Sequence, residues 1–131
     1  MAGLMITVLD ANTIIAAMDA NDTHHAKVAS FLKSTTDDLR ISKLSLAEAL
    51  VAQVHAKRGV QAHAAIQLLG IQELPDNLVS ALDLATTRDS TGLKMPDCVV
   101  LASARAARAR LATTDARLAT AASDAGIELV L

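Results

Sequence analysis

Short runs of β-branched and aliphatic residues alternate along the chain with longer stretches whose apolar positions recur at helical spacing. Met5-Ile6-Thr7-Val8-Leu9 is an almost unbroken apolar run closed by Asp10 and predicts a buried strand. Thr13 to Ala20 reads as a short helix, and His24 to Lys33, with apolar residues at 28, 31 and 32, as a second. Leu39-Arg40-Ile41 is a brief strand. Ser45-Leu46-Ala47-Glu48 opens a helix with Leu46, Leu50 and Val54 on one face, running to about Arg58 and expected to end at Gly59.

Val60 to Leu69 predicts another helix stopped by Gly70, and Ile71 to Leu74 a strand. Asn77 to about Arg88 reads as helical, with Asp89-Ser90-Thr91-Gly92 as a loop after it. Pro96 suits the first turn of a helix through Ala107. Leu111-Ala112-Thr113 is a short strand, Ala116 to Ala125 a helix, and Ile127 to Val130 a last strand after Gly126. Strands this short, separated by helices, predict an α/β three-layer sandwich. Its central sheet would be mainly parallel, of five short strands flanked by helices.

Composition narrows the picture. With 131 residues, 52% hydrophobic and 20% charged, the chain is expected to form one domain over 1–131. One cysteine, Cys98, excludes a disulfide framework and points to a reducing cytoplasm. No apolar run approaches the ~18–20 residues of a membrane span, so no membrane partner is expected. No basic region precedes the first apolar stretch, which breaks at Asp10, so no signal peptide is expected either. Phe31 is the only aromatic residue, whereas Ala fills 27 of the 131 positions. Without aromatic platforms, base stacking is not available for binding nucleic acid.

Ligands of open α/β sheets sit beyond the carboxyl ends of the strands. Asp10 ends the first strand and Asp115 follows Thr113 by two residues, while Glu48 and Asp97 lie at helix starts. If those helix starts face the same strand ends, four carboxylates converge with the Thr113 hydroxyl. Such a cluster needs a cation, because like charges raise one another's pKa. An all-oxygen donor set favours Mg²⁺ or Mn²⁺ over zinc. Each acid also has a plain structural role open to it. Asp10 suits a turn or cap, Ser45-x-x-Glu48 a capping box, Asp97 the macrodipole of its helix, and Asp115 an N-cap.

The acids in their settings carry a resemblance. Ile6-Thr7-Val8-Leu9-Asp10-Ala11-Asn12-Thr13 resembles the opening of PIN-domain proteins, and Ile41-Ser42-Lys43-Leu44-Ser45-Leu46-Ala47-Glu48 their second motif. Met95-Pro96-Asp97-Cys98 resembles the third and Leu111-Ala112-Thr113-Thr114-Asp115 the fourth. In size the chain is most similar to VapC-type toxins of type II toxin–antitoxin systems. The resemblance implies a PIN-like fold and a Mg²⁺- or Mn²⁺-dependent endoribonuclease. Asp10, Glu48, Asp97 and Asp115 would hold metal directly or through water, with Thr113 hydrogen-bonding beside them. It further implies an RNA substrate, a cognate antitoxin protein bound near the first two helices, and a homodimer. Leu118 and Arg117 depart from the family pattern, standing where many members have an aromatic residue and some a further acid.

Hydrolysis by such a site is expected to proceed by in-line attack of metal-bound water, leaving 5′-phosphate and 3′-hydroxyl ends. None of the four histidines sits in a motif that requires 2′-hydroxyl attack; His24 and His25 suit capping, and His55 and His63 are expected to be exposed. The net charge of −2 looks unfavourable for RNA, but setting aside four metal-binding acids leaves 10 acids against 12 bases. Six of those bases fall between Arg88 and Arg117, and Arg105 and Arg108 are expected to share a helix face. Two rivals remain at this point. Leu9-Asp10-Ala11-Asn12-Thr13 partly resembles the opening of haloacid-dehalogenase-like phosphatases, with Asn12 in place of their second acid. A non-catalytic PIN-like binding module would use the same acids as caps.

Overall fold

The computed structural model describes residues 5–131. Residues 1–4, which bear on the expectation of no basic leader, lie outside them. The elements follow the order β1 (Ile6–Leu9), α1 (Ala11–Met18), α2 (His25–Ser34), β2 (Asp38–Ile41), α3 (Lys43–His55) and α4 (Gly59–Leu68). Then come β3 (Gln72–Glu73), α5 (Ala81–Thr91), α6 (Met95–Ala106), β4 (Arg110–Ala112) and α7 (Ala116–Asp124).

The four strands pair in the order β3-β2-β1-β4, and every pairing is parallel. Parallel neighbours need crossovers, which the helices supply, and a central strand covered on both faces must be apolar throughout. β1 nearly meets that demand: Val8 and Leu9 are fully buried, and the buried Thr7 hydroxyl is satisfied by donating to Asp37 Oδ2 at 2.6 Å. Alternation then divides the core. Val8 and Leu111 point to one face and pack with Leu101, Ala104, Leu118 and Ala122 from α6 and α7. Leu9 and Ala112 point to the other, packing with Ile14, Ile41, Leu46, Ala49 and Ile66 from α1, β2, α3 and α4. The result is the expected three-layer α/β sandwich, with a central parallel sheet. Among the described residues, no helix is long and apolar enough to cross a membrane.

Register positions the site. Leu9 pairs with Ile41 on one side and Ala112 on the other. The residues leaving the sheet on one line are therefore Asp10, Ser42 and Thr113.

Several boundaries differ from expectation. Residues 127–130 do not form a fifth strand but a single bridge, Leu111 with Leu129, with flanking bonds from Leu111 N to Glu128 O and Val130 N to Leu111 O. The helix expected from Asn77 begins at Ala81, where Ser80 and Asp83 form a capping box. It continues through the expected 89–92 loop, since the Ser90 and Thr91 hydroxyls donate back to Thr87 O and need no turn of their own. Gly92, at φ 69°, closes it.

Gly59 does not end α3; it opens α4. The break falls at Lys57, whose φ is 61°. A side chain at Gly59 would put its Cβ 2.7 Å from Val54 Cγ2, so glycine is needed there for close approach rather than as a cap.

Candidate active site

Asp10 is buried at the end of β1 and caps α1. Its Oδ1 accepts the Thr13 N–H at 2.9 Å and lies 2.8 Å from the Thr13 hydroxyl. That hydroxyl also lies 2.9 Å from Ala112 O, and its one proton serves one acceptor at a time. Oδ2 accepts a short bond from the Thr113 hydroxyl. Thr113 Oγ1 in turn accepts the Asp115 N–H at 3.0 Å. Asp115 caps α7 through Oδ1, which takes the N–H groups of Arg117 and Leu118 at 2.9 and 3.1 Å. Asp10 and Asp115 are thus the caps that their positions allowed, and both stand on the rim where the strands end. Capping uses only part of a carboxylate's ~four lone-pair sites, so the two roles are compatible.

Glu48 is different. The N-cap of α3 is Ser42, whose hydroxyl accepts from Ser45 N, so Ser45-x-x-Glu48 is not a capping box. Glu48 lies in the second turn and makes no hydrogen bond within the described residues. Burial holds its carboxyl above the ordinary range, and the charges of Asp97 and Asp10 push it further. Asp97 lies in the first turn of α6, after Pro96, also without a hydrogen bond to its carboxylate. A helix N-terminus should favour its ionised form. Its pKa is nevertheless raised, by burial first and then by Asp115 and Asp10, against the opposing pull of Lys94 and Arg117. The two cations and the helix terminus are outweighed.

Asp97 therefore feels each of the other three acids, and the four form one electrostatic group at the strand ends. Two members are pinned by hydrogen bonds and two are not. The side chains do not form a closed cage: among the described residues, no three His, Cys, Asp or Glu side chains are grouped to hold a metal ion. That arrangement fits one kind of ion. Mg²⁺ usually keeps several of its waters and takes only one or two carboxylates directly. Mutually repelling, oxygen-only donors suit such an ion, and Glu48 and Asp97 lack competing partners.

Thr13 was not singled out from sequence, although it is fully buried and bonds Asp10 twice. The signal was a hydroxyl three residues after a capping acid. Of the six bases between Arg88 and Arg117, Lys94 and Arg117 act on Asp97. Arg88 donates to Leu93 O instead. Arg105 and Arg108 do not lie beside the acids, and they do not share a helix face. α6 ends at Ala106, and Arg108 lies beyond it, before β4 begins at Arg110. Arg105, Arg108 and Arg110 stand together at the amino ends of the strands, opposite the acids.

His25 Nδ1 lies 2.7 Å from Ala16 O near the end of α1, whereas His24, the N-cap residue of α2, makes no side-chain cap bond, so the pair does not cap the start of that helix. His55 is exposed, whereas His63 is half-buried against α4's neighbours. A groove of about 530 Å³ between α1 and α2 is lined by Ala17, Ala26, Ala29, Leu32, Lys33 and Leu69, together with Ser30. Asn12 is exposed in the first turn of α1.

Comparison with known proteins places this arrangement. A family model of the PIN domain matches residues 7–123. No curated protein matches the chain. Among solved structures, a chain of VapBC2 from Rickettsia felis, bound to a DNA fragment from their promoter, superposes with a TM-score of 0.69 at 15% identity, covering 96% of this chain and 98% of that one. VapBC-1 from nontypeable Haemophilus influenzae gives 0.65 at 23% identity, covering 96% and 97%. A toxin–antitoxin complex from Klebsiella pneumoniae gives 0.68 at 20% identity, covering 83% and 86%. At these identities the likeness is one of fold.

Proposed function

The chain belongs to the PIN domain family, and on that premise we propose that it is a Mg²⁺- or Mn²⁺-dependent endoribonuclease, the toxin of a toxin–antitoxin pair. The observation that carries the reading is the electrostatic coupling of Glu48 and Asp97 to each other and to Asp10, at the rim where β1, β2 and β4 end. The toxin assignment is supported by fold likeness to a chain of a toxin–antitoxin complex. The antitoxin is assigned to the apolar groove between α1 and α2, whose small alanines leave room for a helix or extended segment. A homodimer and a cytoplasmic location belong to the same proposal.

Asp10, Glu48, Asp97 and Asp115 would hold the ion, directly or through its waters. When bound, the ion supplies Lewis acidity on the phosphoryl oxygens and lowers the pKa of a water. The protein's own part is orientation. Thr13 and Thr113 fix Asp10, and Thr113 couples it to Asp115. Glu48 and Asp97 remain free to turn toward the cation. Lys94 and Arg117, already close enough to act on Asp97, lie where a scissile phosphate would meet positive charge. Water attacks phosphorus in line, the 3′ oxygen departs, and the phosphate stays on the 5′ end.

The test is Asp97→Asn. It should abolish RNA cleavage while circular dichroism and melting show an intact fold. Unchanged cleavage would remove the proposed site. Glu48→Gln separates ligand from structural roles, because Glu48 makes no cap: activity should fall with stability kept.

A further inference from the structure

Behind the sheet, at the amino ends of the strands, lies a pocket rimmed by arginines over an apolar floor. It measures about 330 Å³ and is lined by Arg105, Arg108 and Arg110 together with Met5, Ile127 and Glu128, among others. Arg110 is partly neutralised. Its Nη1 lies 3.6 Å from Asp37, and its Nε 3.3 Å from Glu128 Oε2. That Nε is buried and still makes no hydrogen bond, the Glu128 oxygen lying out of line. Arg105 and Arg108 have no ion-pair partner among the described residues.

Arg108 is also strained. It occupies the residue just past the end of α6 with φ 53°. Its N–H bonds Arg105 O at 3.1 Å, and the next N–H, of Ala109, bonds Ala104 O at 2.9 Å. This is a Schellman motif, whose left-handed position normally takes glycine. Gly70, Gly92 and Gly126 stand at left-handed positions after α4, α5 and α7, and Lys57 holds the same position after α3. Attraction to the helix dipole favours a base near the end of α6, and both Arg105 and Arg108 lie there. The terminal carbonyls of Ala104 and Arg105 are already bonded, which leaves the guanidinium groups as the dominant free charge at the pocket.

We propose that this pocket seats a phosphate group on Arg105 and Arg108, the phosphate being that of an RNA backbone running past the sheet edge from the acid cluster. It rests on the ribonuclease reading only for the identity of the strand. β4 spans three residues, so Arg110 and Thr113 are separated by about 10 Å along the strand direction, at ~3.3 Å per residue. A chain of a few nucleotides covers that span.

Arg108→Gly is the decisive variant, because glycine suits the backbone there and removes only the side chain; the melting temperature should hold or rise. Arg105→Gln, on the exposed last turn of α6, is the second. Binding of a labelled oligouridylate is measured in EDTA, where no cleavage occurs, across a salt series. Each lost contact should lower the slope of log K against log salt by about 0.7, a loss of about fivefold at 0.1 M salt relative to 1 M. Inorganic phosphate forms the second arm. If it raises the wild-type melting temperature but not that of Arg108→Gly, while the RNA slope is unchanged, the site takes free phosphate. If neither the slope nor the phosphate effect changes, the site is overturned. Cleavage by the wild type in Mg²⁺ is scored separately, so an absent nuclease activity would not be confused with an absent phosphate site.

Discussion

Thr113 donates its hydroxyl to Asp10 Oδ2 and, through the same oxygen, accepts the N–H of Asp115 at 3.0 Å. One side chain thereby ties the acid that ends β1 to the acid that opens α7. Thr113→Val keeps the shape and removes both bonds. The expected cost is about 1–3 kcal/mol in denaturant unfolding, because a buried carboxylate oxygen loses its donor. RNA cleavage should fall ~10–100-fold, the usual effect of losing a group that orients a metal ligand. Thr113→Ser should restore most of both.

Acidity couples to stability through Glu48 and Asp97. Both hold protons above their ordinary values of 4.5 and 3.8. The folded state then binds those protons more tightly than the unfolded chain. The stabilisation is complete below the ordinary values and is lost as pH rises through the higher folded ones. In metal-free buffer at pH 7, the Glu48→Gln/Asp97→Asn double variant should therefore melt above the wild type, and the gap should close on acidification. Mg²⁺ at 100 times its Kd should add about 2.7 kcal/mol to the wild type and little to the variant. A wild type that melts higher than the variant without metal would contradict the coupling.

Lys57 gives a test of backbone strain away from the site. It holds φ 61° at the end of α3, where Lys57 N bonds Val54 O and Arg58 N bonds Gln53 O. Lys57→Gly relieves about 1 kcal/mol of left-handed strain. Extra freedom in the unfolded chain returns about 0.4–1 kcal/mol of that. The net should lie between zero and a gain of a few tenths, with cleavage unchanged; a clear loss of stability would show that the lysine side chain holds the turn.

How far the chain could be read before its structure depended on what each residue answers to. β1 was legible because a strand buried on both faces must be apolar throughout, and Val8 and Leu9 announce it. Asp10 and Asp115 were legible because caps and strand-end acids share positions. The boundary of α3 was not, since Gly59 marks both a stop and a close approach, and only the Val54 contact decides between them. Arg105 and Arg108 were misplaced because spacing along a helix says nothing of where that helix ends. Thr13 escaped notice because its second contact, Ala112 O, lies 99 residues away.

The sheet order β3-β2-β1-β4 has a consequence for the time at which the chemistry can appear. β1 is made first and sits in the interior, but the neighbour that completes one of its sides is made last of the four strands. The Thr113–Asp10 bond closes a loop of 103 residues. Until that loop closes, a growing chain carries Asp10 with Thr13 alone to hold it, and without Asp115. Contacts so distant in sequence form late, after local helices. The acid cluster is thus among the last parts of the molecule to be assembled, and it is incomplete until β4 and the start of α7 have emerged.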